Sequence, residues 1–450
     1  MQLSPNRVFR YVIAAAFVIV MPPAIDLTAA EPAACVPLPT TQEAIAMLPE
    51  LRDPLESELP SWARALTSSL PHTAAAMLEL DYKFRTVEKN QLRLRSLARL
   101  AVSEANQSEY GKAYARFDLA RCGAAELATT AAEDPAELPP LERQVYEFAR
   151  QMTIAARDVT DDELAELKEQ LGEDAVVGLV LHIGYGNFQD RFVHALQLSI
   201  EPTGPLEPVA VDFVESTPNG GNTPAAERGE AAEPGAELSR DKQVDLAAPE
   251  WTDLDAGQIQ AKLESQRGRA ARIRVPDWEE IAAKLPEGLY SRPLRIRWSR
   301  VVVGYQPVLG PAWIKCLRVF EQEAHQDRVF EESVFWVVTR GLRCFYCMGH
   351  CEMLMEVGGL DASQIAQRTA ALAGGDWISF SAAERAAFRY AYKLTYDPSA
   401  VSCADYMALR DALGEQRAID CVWWISRCHF MTKVSDAFQL QLEVENVFKN

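Results

Sequence analysis

The sequence predicts an all-α protein: two tandem helical domains joined by a disordered acidic linker. Three observations carry that expectation. Apolar residues recur at three- and four-residue steps in both halves of the chain. A stretch rich in Pro and Glu interrupts the pattern near the middle. The segment 142–198 recurs at 384–440 without a gap.

In chain order, residues 1–30 read as a secretory signal. Arg7 and Arg10 supply the positive region, Tyr11 to Met21 an eleven-residue apolar core, and Thr28-Ala29-Ala30 small residues for cleavage. That core is short for a bilayer span. The expectation is an exported protein, periplasmic or secreted, with an uncleaved N-terminal anchor as the alternative. Once the signal is removed, no segment is apolar and long enough to span a membrane. Cys35 follows Pro32-Ala33-Ala34, and a lipid-attachment signal prefers a large aliphatic residue where Pro32 stands. An export route leads to an oxidising compartment, where thiols pair or do redox work.

The chain has 450 residues, 48% of them apolar, enough for two ordinary cores. Its formal charge is −19 and its isoelectric point about 4.9, which disfavours nucleic acid as a partner. Residues 201–250 hold seven prolines and eleven acidic against three basic residues. Such a stretch buries too little apolar surface to offset its ordering entropy. A linker over 201–255 therefore separates a domain at 36–200 from another at 272–450.

The two domains are related. At a shift of 242, Glu142-Arg143 falls on Glu384-Arg385, Leu171-Gly172-Glu173 on Leu413-Gly414-Glu415, and Gln197-Leu198 on Gln439-Leu440. Leu48-Pro49-Glu50 matches Leu285-Pro286-Glu287 at a shift of 237. A duplication accounts for matches that hold phase over 57 positions. In the second domain, Ser381 with Glu384 is a capping box. Ser402 with Asp405 is a weaker version, because Asp reaches back poorly. The helix after it should stop at Gly414. Residues 418–440 read as a long, mostly buried helix. Alternating strand patterns are scarce, and the best, Leu294 to Trp298, is short.

The chemistry concentrates at 344–351, Cys344-Phe345-Tyr346-Cys347-Met348-Gly349-His350-Cys351. A helix over 327–340 should end at Gly341, and a second should run from Cys344 to Glu356 before Gly358-Gly359. Cys344, Cys347 and Cys351 then share one helical face. Cys344 falls in the first turn beside Arg343, where the helix dipole favours a thiolate. Cys347, one turn on, can resolve a sulfenate or mixed disulfide. Cys428-His429, on the long final helix, reads first as a buried thiol and a core imidazole. Cys35, Cys122, Cys316, Cys403 and Cys421 stand singly and read as buried, inert thiols. The rival for the cluster is zinc held by Cys344, Cys347, Cys351 and Cys428, although structural zinc sites usually come as two separated pairs. Haem attachment would need a His where Met348 stands. A passive Cys344–Cys347 disulfide is a further reading.

These residues resemble the AhpD-like (alkylhydroperoxidase D-like, carboxymuconolactone decarboxylase) superfamily. The family pattern is Glu, then Cys-x-x-Cys twelve residues on, then His four after the second Cys. Glu332 stands twelve before Cys344, and Tyr346 precedes Cys347. The resemblance covers about 286–440 well and 48–198 faintly. Cys351 occupies the family's His position, and His350 is one residue early, about 100° around the helix. In the first domain, matching Gly123 to Gly359 puts Ser108, Gly111 and Ala115 on the three cysteines, with Arg95 or Ser96 where the Glu would be. That domain is expected to serve as a packing or assembly partner.

The resemblance implies a thiol peroxidase or disulfide oxidoreductase acting through Cys344 and Cys347. Glu332 would be its general base or relay, and His350, Cys351 and His429 are candidates to complete the relay. No cofactor is expected unless zinc binds. The implied partners are a peroxide or disulfide substrate, a thiol reductant and further copies of the chain. The rivals are a decarboxylase-like non-redox enzyme, a zinc-binding structural protein, and an inactive scaffold.

Overall fold

A computed structural model describes residues 34–214, 253–375 and 377–449. The expected signal at 1–30 and most of the expected linker, 215–252, lie outside the described residues. The described residues form nineteen α-helices and no strand. The first half contains α1 (Thr41–Met47), α2 (Ser61–Thr67), α3 (Pro71–Thr86), α4 (Leu92–Ala105), α5 (Glu109–Arg121), α6 (Ala125–Glu133), α7 (Pro140–Ala155), α8 (Asp161–Leu171) and α9 (Glu173–Leu196). After α10 (Ala256–Ser265), the second half repeats the series. It contains α11 (Trp278–Ala282), α12 (Arg297–Tyr305), α13 (Leu309–Glu323), α14 (Arg328–Leu342), α15 (Phe345–Val357), α16 (Ala362–Gly374), α17 (Ala382–Tyr396), α18 (Cys403–Leu413) and α19 (Glu415–Ala437).

The repeat is carried by the backbone as well as the sequence. Left-handed or positive-φ residues recur in register: Gln107 with Arg343, Gly123 with Gly359, Gly172 with Gly414, and Gln197 with Gln439. Both predicted capping boxes form, at Ser381–Glu384 and Ser402–Asp405. Asp405 reaches the Ser402 amide at 2.8 Å despite its shorter side chain, and Lys393 holds the same carboxylate at 2.7 Å. The segment Leu294–Trp298 is not a strand. Its last two residues open α12.

The two halves share one continuous apolar core. The central helices α9 and α19 pack against each other, and α3 packs against α13. Gly184 permits the first contact, since a Cβ there would lie 3.1 Å from the Phe430 ring. Phe188 of the first half meets Trp313 and Trp423 of the second edge-on, at 6.0 and 5.8 Å. Glu323 at the end of α13 accepts from the His72 and Thr73 amides, closing the start of α3 across the two halves. The chain also stays bound to the first half well past residue 200. Glu201 is buried and accepts from the Ser61 amide and from the Tyr110 and Tyr114 hydroxyls, and Phe213 pairs with Leu51. Prolines and acidic residues mark this stretch as loop, but its few apolar residues dock.

Two cysteine expectations are corrected. Cys122 is exposed, because it falls at the C-cap of α5 rather than on its packed face. Cys35 and Cys403 are not lone thiols but form a disulfide spanning 368 residues of sequence. Neither position has a nearby cysteine that would reveal the pairing. Only the fold brings the chain ahead of α1 to the start of α18. Among the described residues, no helix is long and apolar enough to cross a membrane.

Candidate thiol site

The thiol site is built where α14 turns into α15. Arg343 adopts a left-handed conformation (φ 58°), and the Cys344 amide returns to the Thr339 carbonyl at 3.0 Å. Cys344 therefore sits at the N-cap of α15, just ahead of its first turn, and Cys347 and Cys351 follow along the helix. All three are buried, as is Cys428 on α19.

Each sulfur meets a different partner. The Cys344 thiol lies against the Cys347 thiol and the Asp436 carboxylate. The Cys347 thiol donates to Ser435 Oγ at 3.3 Å. The Cys351 thiol stands beside Glu332, whose buried Oε2 has no hydrogen-bond partner among the described residues. Arg328 reaches Glu332 Oε1 at 3.4 Å. Cys428 faces Arg427 and the same Glu332. Glu332 thus accompanies Cys351 and Cys428 rather than the Cys344–Cys347 pair.

Burial sets the electrostatics, and here one expectation is corrected. The helix start was expected to favour a Cys344 thiolate. Instead burial pushes that thiol well up, and the Cys347 sulfur and Asp436 add to the effect. Arg343 does not counter it, because its guanidinium turns to Asp253 at 2.6 Å. Burial likewise raises Cys351, Cys428 and the Glu332 carboxyl.

Both histidines stand apart from the sulfurs. His350 Nε2 pairs with Glu443 at 2.6 Å, and its ring meets Tyr346 at a tilt and Phe448 edge-on. This is where the 100° step around α15 should aim it. His429 Nε2 lies 3.3 Å from Thr395 Oγ1, and burial with Arg191 and Lys433 nearby keeps its imidazole neutral. Among the described residues, no three His, Cys, Asp or Glu side chains converge as a metal-binding group.

Sequence reasoning missed Ser435, Asp436 and Lys433, all on the last turns of α19, together with Glu443 just beyond. One signal was present. Lys433 and Asp436 are charges inside a helix read as mostly buried, and buried charges have partners or tasks. The first half also reaches the site. Lys433 Nζ donates to the Thr153 carbonyl at 2.7 Å, and Arg157 donates to the Leu342 carbonyl at 3.4 Å, two residues before Cys344.

At the equivalent place in the first half, Ser108 holds the N-cap position of α5 as Cys344 holds that of α15, but the Ser108 hydroxyl accepts from the Gly111 amide while the Cys344 side chain makes no cap bond. A Cβ on Gly111 would lie 2.3 Å from Asp190 Oδ1 and 2.7 Å from Arg99 Nη2. The Arg99–Asp190 ion pair fills the space that a side chain at 111 would need. A scan of protein-family models finds no match to the chain, and no curated protein matches it.

Proposed function

We propose that the protein is a thiol-dependent peroxidase acting through Cys347 and Cys344 in an exported compartment. The observation that carries this reading is the contact of the two sulfurs at the head of α15, flanked by Ser435 and Asp436. Cys347, whose thiol donates to Ser435 Oγ, is the attacking thiol, and Cys344, held protonated by burial with Asp436 beside it, resolves. Attack of the Cys347 thiolate on a peroxide oxygen breaks the O–O bond. It leaves a Cys347 sulfenic acid and an alkoxide that takes up a proton to become the alcohol. Cys344 then displaces hydroxide from sulfur, giving the Cys344–Cys347 disulfide and water. An external dithiol restores both thiols. Burial of all four sulfurs favours a small peroxide over a folded protein disulfide as oxidant. The Cys35–Cys403 bond supports export, since such links persist in oxidising compartments.

Peroxide consumption with dithiothreitol as reductant tests the reading. Wild type should turn over and Cys347→Ser should lose turnover, while a peroxide pulse without dithiothreitol should leave Cys344→Ser at the sulfenic acid. Variants that match wild type would end the proposal.

A further inference from the structure

The peroxidase reading leaves the resolving step without a base. Cys344 is buried and protonated, yet it must lose its proton as it attacks the Cys347 sulfenic acid. Glu332 faces Cys351, His350 faces Glu443, and His429 faces Thr395. Among the described residues, the Asp436 carboxylate stands beside the Cys344 thiol and can accept from it.

We propose that Asp436 is a catalytic residue that takes the Cys344 proton during disulfide formation, and that Lys433, pinned by the first half, is its positioning residue. The inference rests on the peroxidase reading and adds a role to it. Asp436 and Lys433 lie three residues apart on α19, so they share a face. Lys433 is 2% exposed, its amine donates to the Thr153 carbonyl of α7, and burial lowers it to about 7. The charged groups facing Asp436 are Arg269 ahead of α11, Lys433 on its own helix, and Arg157 from the turn after α7. Arg191 of α9 adds a further cation beside Lys433. The first half, which has no cysteine at Ser108, Gly111 or Ala115, therefore supplies part of the cationic frame around the carboxylate.

The step balances. The Cys344 proton passes to Asp436, the Cys344 sulfur bonds to the Cys347 sulfur, and the S–O bond breaks. The departing hydroxide receives the proton back from Asp436 and leaves as water. Burial pushes Asp436 up to about 6, which suits a carboxyl that must both accept and return a proton near neutrality.

The test uses the full chain with Asp436→Asn, Asp436→Glu and Lys433→Met. After a pulse of hydrogen peroxide, Asp436→Asn should form the Cys344–Cys347 disulfide about 10²-fold more slowly. Its Cys347 sulfenic acid should accumulate and be trapped by dimedone, as read by mass spectrometry. Asp436→Glu should restore most of the rate. Thiolate absorbance near 240 nm, taken as the difference from Cys344→Ser, supplies an arm that needs no peroxide. There Asp436→Asn should ionise Cys344 at lower pH than wild type, because a negative neighbour is gone, and Lys433→Met at higher pH. A downward absorbance shift with slower disulfide formation supports the base. Disulfide formation at the wild-type rate or faster in Asp436→Asn overturns it. If wild type itself forms no disulfide with peroxide, the peroxidase reading fails. The absorbance shifts then still decide whether Asp436 and Lys433 control Cys344.

Discussion

At the scale of single residues, the second half buries many ionisable groups. Glu331 is the clearest case for stability. Burial pushes its carboxyl up to about 8, against the opposing pull of Arg328. The unfolded chain releases that proton near the ordinary carboxyl range, so between those two points the folded state holds a proton the unfolded state has lost. Stability contributed by this group is complete at low pH and falls as pH rises through about 8. Glu331→Gln removes the dependence. Paired thermal melts should show the variant gaining on wild type from pH 5 to pH 8.5, and a constant gap would contradict the burial argument. The same physics explains what the sequence misled about Cys344. Helix phase correctly set it at the head of α15, but the dipole argument assumed a solvated helix end. Burial, and a carboxylate 92 positions away at Asp436, reverse the outcome.

At the scale of elements, helix boundaries were legible because they are written locally. Gly414 ends α18 where the sequence placed it, and the Ser381 box opens α17. What docks onto each helix was not legible, because it depends on residues far along the chain. Gly111 makes the point. As a sequence position it is merely the place where a cysteine is missing; in the fold it is the gap into which Arg99 and Asp190 close. Gly111→Ala should cost about 1–3 kcal/mol by overpacking against a buried ion pair. Urea denaturation followed by far-ultraviolet circular dichroism measures this. A neutral result would show that the pair can shift aside freely.

At the scale of the whole molecule, the duplication was visible in sequence only where it is best preserved. The structure extends it over nine helix pairs. The common core of the two halves and the bond between Cys35 and Cys403 were not visible, since neither leaves a local pattern. Cys403→Ala should lower stability by about 2–4 kcal/mol, by releasing a very long loop in the unfolded state. Comparing melts of oxidised wild type, reduced wild type and the variant checks this, and equal midpoints would rule out a stabilising role. The order of cysteines along the chain gives the same bond a biosynthetic consequence. As the polypeptide emerges, Cys35 meets Cys122, Cys316, Cys344, Cys347 and Cys351 before its native partner exists. Correct maturation therefore depends on α15 withdrawing its sulfurs into the interior before they are captured, or on a shuffling catalyst that undoes the capture. The burial that makes Cys344 and Cys351 hard to ionise is also what keeps them out of the wrong covalent partnership.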